Sequence, residues 1–521
     1  MQNNSDDSNS GLPRRDFIKA AGAGAGMLLM GGAAGAEALV PDPRKLTNVR
    51  SASASPDVIV IGSGVWGSFT ALNLRRMGVN VTLVDAYGPG NARSTSGDET
   101  RGVRSSYGDR PGAQGENWML WARESMTLWK QFDAEWGKQL RLNLFHVTGD
   151  MIFRTEWDSF QLRCKVWWDK NKIPYQVLNV EDVKKSFPVM NLDDITAVLY
   201  EPDAGVVRAR RATQAAAAAF EALGGRIVIG RATPSKFANG KLEEITLDTG
   251  EKLGADTFIF AVGPWLGKTF PELFAKKTRV PIGYVVYFAT PIGDHRFTYP
   301  NLPTYNFPGV TGWPALPVDN RGFRVRGAER APTPPTTAAN GAGGPTQASS
   351  NTAGPTTDTG SNLANAGGTA GIGNGRGGGA NATGSAGGGR GQGQQQDVPP
   401  AQQDPDTSDR WADQERVAGS RRFVAHRFPL LKDAPVAQTH SCHYESTVSS
   451  NFIIDKHPEW GNVWIAAGGN AEGFKFGPKI GDYVAHRVMG KVDPVDKTFK
   501  IPENDYPPPP PTPADSTRRR P

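Results

Sequence analysis

Cysteine is scarce in this sequence: Cys164 and Cys442 are the two in 521 residues. His440-Ser441-Cys442-His443 has no second ligand pair to complete it, which argues against zinc, so no metal site is expected. Basic residues interleaved with aromatics are also missing. The formal net charge of +6 is diffuse apart from the C-terminal tail, so no nucleic-acid partner is expected. Long apolar runs are absent too. The longest candidate, Ala20 to Ala36, has about 17 residues rich in Gly and Ala, short and weakly apolar for a membrane span, and no permanent one is expected. Large apolar side chains nearly vanish between Ala331 and Gln403, where Gly, Ala, Thr, Asn, Gln and Pro dominate. Such a stretch cannot offset the entropy of ordering and reads as a disordered surface insertion, 331–403. Its length is tolerable because loop-closure cost grows only logarithmically.

What is present starts at Asp57-Val-Ile-Val-Ile-Gly62-Ser-Gly64-Val-Trp-Gly67. The apolar run Val58 to Ile61 reads as a buried parallel strand, and Ser68 to Met77 as the helix it turns into. Gly62 suits the tight turn, Gly64 lets backbone approach a pyrophosphate, and Gly67 lets helix pack on strand. The helix N-terminus offers free N–H groups to phosphates. A second strand, Asn80 to Val84, leads to Asp85, about 20 residues past the glycines, where a carboxylate can accept a ribose hydroxyl. This context makes a dinucleotide site the expectation.

Ser94-Thr-Ser96-Gly-Asp98-Glu99-Thr-Arg101-Gly-Val-Arg104-Ser-Ser-Tyr107 is rich in hydroxyls and carries two arginines three apart. It resembles the segment lying against the flavin ring in the monomeric sarcosine oxidase and N-methyltryptophan oxidase family, amine-oxidising members of the D-amino-acid oxidase-like superfamily. The Asp98-Glu99 pair departs from that pattern by one added residue. The resemblance extends through Cys442-His-Tyr-Glu-Ser-Thr-Val-Ser-Ser-Asn-Phe-Ile-Ile-Asp455-Lys-His-Pro458 to Gly468 and Gly473-Phe474-Lys475-Phe476. It implies FAD as cofactor, attached through a thioether at Cys442, and Lys475 as a holder of the substrate carboxylate. By residue type alone, Cys442 also reads as a small buried hydrophobe and Lys475 as a snorkelling lysine. Thr257-Phe-Ile-Phe-Ala-Val-Gly263-Pro-Trp265 resembles a further flavin-domain strand and its glycine turn. The lysine that the family associates with oxygen activation has its best counterpart in Arg324 of Gly322-Phe-Arg-Val-Arg326. That change keeps the charge but loses the compact ammonium. The aromatic expected slightly earlier is replaced by Thr311-Gly312-Trp313.

The fold class expected is α/β (α+β overall), a Rossmann-like FAD-binding domain with an inserted antiparallel-sheet substrate domain. The FAD-binding domain is expected from 56–110, 200–280 and 440–495. Residues 111–199, 281–330 and 404–439 would form the substrate domain and connecting helices. Glu116 to Trp136 places Trp118, Trp121, Leu128 and Phe132 on one helical face, and Arg211 to Leu223 is an alanine-rich helix stopped by Gly224-Gly225. Asp409 to Phe428 reads as helical, and Val280 to Thr290 as a strand flooring the active site. Residues 504–521 form a proline-rich tail. At the other end, Pro13-Arg14-Arg15-Asp-Phe17-Ile-Lys19 before the small apolar run matches a twin-arginine signal over 1–38. The Tat export machinery is then a partner and the location periplasmic or exported. In that oxidising compartment a Cys164–Cys442 disulfide is one alternative, which a thioether at Cys442 would exclude.

The resemblance implies oxidation of an N-methyl or other secondary amino acid to an imine, with O2 reoxidising the flavin. Arg104 and Lys475 would bind the substrate carboxylate, Arg101 and Lys475 would stabilise reduced flavin, and oxygen would react near Arg324. Gly62, Gly64, Gly67, Asp85, Ser96, Arg101, Gly263, Cys442, Gly468, Gly473, Phe474 and Lys475 would hold the cofactor. Two alternatives remain open: a dehydrogenase passing electrons to a periplasmic carrier, and an exported flavin-binding protein without turnover.

Overall fold

The computed structural model describes residues 58–110, 112–318, 321–329, 403–492 and 498–507. The twin-arginine signal, the insertion before Gln403 and the end of the proline-rich tail lie outside the described residues. A six-stranded sheet runs in the order Ile453–Lys456, Val463–Ala467, Thr257–Phe260, Val58–Ile61, Val81–Asp85, Arg226–Ile229. All neighbours are parallel except the first pair. The strand Val58–Ile61 is buried along its whole length, as expected of a parallel strand covered on both faces.

The helix that follows is Val65–Arg76, beginning three residues earlier than the sequence suggested. A distant group accounts for the difference: Ser96 Oγ accepts the Val65 N–H at 3.0 Å, capping an end that no neighbouring side chain caps. The helix Gly477–Val488 lies against this one. Gly481 permits the approach, since a Cβ there would fall 2.4 Å from Phe69 Cβ.

The second large sheet has eight strands, in the order Val436–His443, Ile282–Phe288, Phe323–Arg326, Val310–Trp313, Thr304–Phe307, Asp150–Arg154, Ala197–Glu201, Gln176–Leu178. It is antiparallel but for one pair, Thr304–Phe307 with Asp150–Arg154. The expected division at residue 440 is therefore shifted. Cys442 pairs with Gly283 on the edge of this sheet, because the backbone of Val436–His443 follows Ile282–Phe288, while Ile453–Lys456 closes the nucleotide sheet. A small sheet of Arg101–Val103, Gly205–Val207 and Phe145–His146 lies apart from both.

The long helix is Gly112–Phe132, continued by a wider turn over Asp133–Gly137. Trp118 and Phe132 are buried as expected, but Trp129 replaces Leu128 at the centre of the face. Its indole N–H donates to the Lys475 carbonyl at 2.9 Å and its ring stacks on Phe474, with centroids 5.8 Å apart. The alanine-rich helix is Ala209–Ala222, and the later one is Gln414–Arg427, where Asp413 accepts the Arg416 N–H. Asp409 to Ala412 are thus an approach to that helix rather than part of it.

Candidate functional site

The turn after Val58–Ile61 opens onto a cavity of about 470 Å³. Gly62 has φ +99°, and a Cβ on it would lie 2.3 Å from the Ala261 carbonyl oxygen; a Cβ on Gly67 would lie 1.8 Å from the Gly62 oxygen. Neither position accepts a larger residue without moving backbone. Gly64 leaves the helix start open on the cavity beside Ser96. Asp85 lines the same cavity. Its carboxylate accepts from the backbone N–H of Ser63 at 2.7 Å and from those of Tyr87 and Gly88 at 2.8 and 2.9 Å, which fixes its orientation. Gly263, Gly473 and Phe474 also line this cavity. Gly468 is not in the lining, but its N–H donates at 3.1 Å to buried Glu445, which is. The Trp66 indole N–H donates to the Gly473 carbonyl at 2.8 Å, tying the glycine turn to the C-terminal loop.

Cys442 borders this cavity and a smaller one of about 50 Å³ beyond it. Its sulfur accepts from Arg101 Nη2 at 3.1 Å. The Cys164–Cys442 disulfide is not formed. Both thiols are free, and Cys164 is buried elsewhere, accepting the Gly108 N–H at 3.3 Å. Among the described residues no cluster of His, Cys, Asp and Glu forms a metal site, and no helix is long and apolar enough to cross a membrane.

The smaller cavity contains Arg101, Arg104, Arg324, Arg326, Glu472 and Lys475 in its lining. Lys475 is 4% exposed. Its ammonium donates to Tyr107 Oη at 2.8 Å and pairs with Glu472. Burial draws the Lys475 ammonium down to about 8 in spite of Glu472. Burial pushes the Glu472 carboxyl up, but Lys475 and Arg104 outweigh it and hold it ionised, well below the usual range. Arg324 is 2% exposed, and burial lowers its guanidinium to about 10. It lies 3.9 Å over the Trp313 ring, so an aromatic is present at this place after all.

Several of these residues were not singled out from sequence. Asp98, noticed only as part of a departure from the family pattern, is fully buried; it pairs with Arg101, accepts from Tyr287 Oη at 2.9 Å and lies 3.6 Å from Arg324 Nη2. The added acid therefore supports two arginines, one of them at the substituted position. Asp150 is buried with no partner for either oxygen among the described residues, and burial holds its carboxyl up at about 6 against the pull of Arg104. Its one signal in sequence is an acid at the start of the apolar strand Asp150–Arg154. Asp406 accepts from Trp265 Nε1 at 2.8 Å and pairs with Arg231 and Lys268 at 2.8 and 2.6 Å, and all four line the larger cavity.

The donor set fits a flavin dinucleotide: a glycine-lined helix start for the pyrophosphate, an oriented carboxylate for a ribose, and a cysteine between the elongated cavity and a cationic one. Comparison with known proteins agrees. Residues 57–487 match the DAO family, FAD dependent oxidoreductase. Monomeric sarcosine oxidase of Bacillus sp. (strain B-0618) is 23% identical over 446 residues, covering 84% of this chain and 93% of that protein. Human peroxisomal sarcosine oxidase is 23% identical over 444 residues, covering 82% and 90%. Among solved structures, glycine oxidase from Bacillus cereus ATCC 14579 has a TM-score of 0.61 at 17% identity, covering 86% of this chain and 99% of that one. Amadoriase I from Aspergillus fumigatus, a fructosyl amine:oxygen oxidoreductase, has 0.62 at 18% identity, covering 86% and 90%.

Proposed function

Because the chain belongs to the DAO family of FAD dependent oxidoreductases, we propose that it oxidises a secondary amine of an amino acid to an imine, with O2 as electron acceptor. The observation that carries this reading is the cationic cavity joined at Cys442 to the nucleotide cavity. FAD, held by the glycine turn, Asp85 and Cys442, would supply a hydride acceptor that O2 can reoxidise.

Arg104 and Lys475 hold the substrate carboxylate, which fixes the carbon bearing hydrogen at the mouth of the larger cavity. Glu472, ionised beside them, keeps Lys475 in place and gives the substrate ammonium a counter-charge. Trp313 and Phe474 wall the cavity and limit water around the reacting amine. The imine leaves the site for hydrolysis by water. Arg324, over Trp313 and beside Asp98, is the charge at which oxygen is activated, in the role a lysine has in the resembling family. Cys442 is the proposed point of flavin attachment, and the twin-arginine segment the proposed export signal.

An oxygen electrode tests the reaction: N-methyl amino acids are expected to drive O2 uptake. Turnover that needs an artificial acceptor would favour the dehydrogenase alternative instead. The pH dependence follows from Lys475. The folded state draws its pKa from the ordinary 10.5 down to about 8, so the ammonium is present below pH 8 and lost above it. Carboxylate affinity is therefore expected to be flat below about pH 7.5 and to fall up to tenfold per unit above about 8.5, measured as KM across pH 6 to 10. For stability the sign is opposite. Burial disfavours the charged form, so this group's penalty is present below pH 8 and relieved as pH rises towards 10.5.

A further inference from the structure

Five cationic side chains line the smaller cavity, and three of them are already engaged. Asp98 takes Arg101 and Arg324, and Glu472 takes Lys475. The guanidinium groups of Arg104 and Arg326 make no hydrogen bond or ion pair among the described residues. Arg324, though paired through one nitrogen, leaves Nε and Nη1 buried without a partner. Asp150 and Glu472 act on Arg104, and Glu472 on Arg326, only through space, so five cations share few acids and two guanidinium groups keep their hydrogen-bonding edges free for an entering anion.

The strand Phe323–Arg326 brings Arg324 and Arg326 to one face, two residues apart. Arg104 reaches the same cavity from just after Arg101–Val103. Arg326 pairs with Val285 on the neighbouring strand, and its guanidinium reaches back over Gly283, where a Cβ would touch Nη2 at 3.5 Å. A planar guanidinium binds a carboxylate through two parallel hydrogen bonds. A substrate with one carboxylate satisfies Arg104 and leaves Arg326 without a hydrogen-bonding partner among the described residues.

We propose that this cavity selects a compact amine bearing two anionic groups, a dicarboxylic N-alkyl amino acid in its simplest form, and that Arg326 receives the second anion. The amine in this statement rests on the proposed oxidation; the two anions rest on the cavity alone. The volume of about 50 Å³ keeps the spacer short.

The flavin-loaded protein is titrated at low ionic strength with glutarate and with butyrate, neither of which is an amine, following the flavin absorbance. Glutarate is expected to bind at least about tenfold more tightly, the value of one charge-assisted contact. Arg326→Gln should bring that ratio to within about twofold, and Arg326→Lys, which keeps the charge, should retain part of it. Arg104→Gln should weaken both ligands. Equal binding of the two acids, or a ratio unmoved by Arg326→Gln, overturns the proposal. Anaerobic mixing with N-methylaspartate and N-methylalanine separates this result from the parent reading. Glutarate selectivity with no bleaching by any amine leaves the two-anion site standing and sinks amine oxidation. Bleaching without selectivity does the reverse.

Discussion

Replacing Lys475 with methionine is expected to lower kcat/KM for amine oxidation roughly 30- to 1,000-fold, corresponding to about 2–4 kcal/mol. The side chain is buried, donates to Tyr107 Oη at 2.8 Å and neutralises Glu472. Its loss removes a cation from the carboxylate site and leaves the Glu472 carboxylate, 11% exposed, with Arg104 as the nearest compensation. Both effects act against an anionic substrate. Steady-state kinetics would show a raised KM, and the pH dependence of KM above 8 should disappear in the variant. That second readout separates a binding role from a structural one. A loss below about threefold with the pH profile intact would mean that Lys475 serves only to hold Glu472.

The other large effect concerns attachment. Acid-denatured protein is expected to keep its yellow colour on the polypeptide, and Cys442→Ala should release all of it as free FAD. Cys442 has the required place, at the boundary of the two cavities with Arg101 Nη2 3.1 Å from its sulfur. Cys164 serves as the control: it is 1% exposed and lines neither cavity, so Cys164→Ala should leave the flavin on the chain. Peptide mass mapping after digestion reads the outcome. Flavin extracted by acid from the unaltered protein would refute the thioether.

Much of the nucleotide half was legible because its constraints are local. A fully buried parallel strand must be apolar throughout, and the turn geometry at Gly62 and the contact at Gly67 admit no larger residue. Helix and strand types were recovered for the same reason, with ends displaced where a distant group intervened, as Ser96 does at Val65. The substrate side was less legible. Cys442 sits on a sheet edge that forms only when residues about 160 apart in sequence pair, Gly283 with Cys442. Asp98 looked like an irregularity until Arg101, Tyr287 and Arg324 were seen around it. Glu472 lies three residues before Lys475, yet its pairing depends on a 3-10 turn, Gly473–Phe476, that the glycine-rich sequence does not declare. Asp150 gave the weakest signal of all, since its lack of partners is a property of the packed interior.

On the proposed function, an amine reduces a flavin held between these two cavities. Anaerobic stopped-flow absorbance of the purified holoprotein, mixed with a panel of N-methyl mono- and dicarboxylic amino acids, tests it most directly. Saturable bleaching of the oxidised flavin band by at least one of them is expected, slowed in Lys475→Met. A flavin band that no amine in the panel diminishes would contradict it.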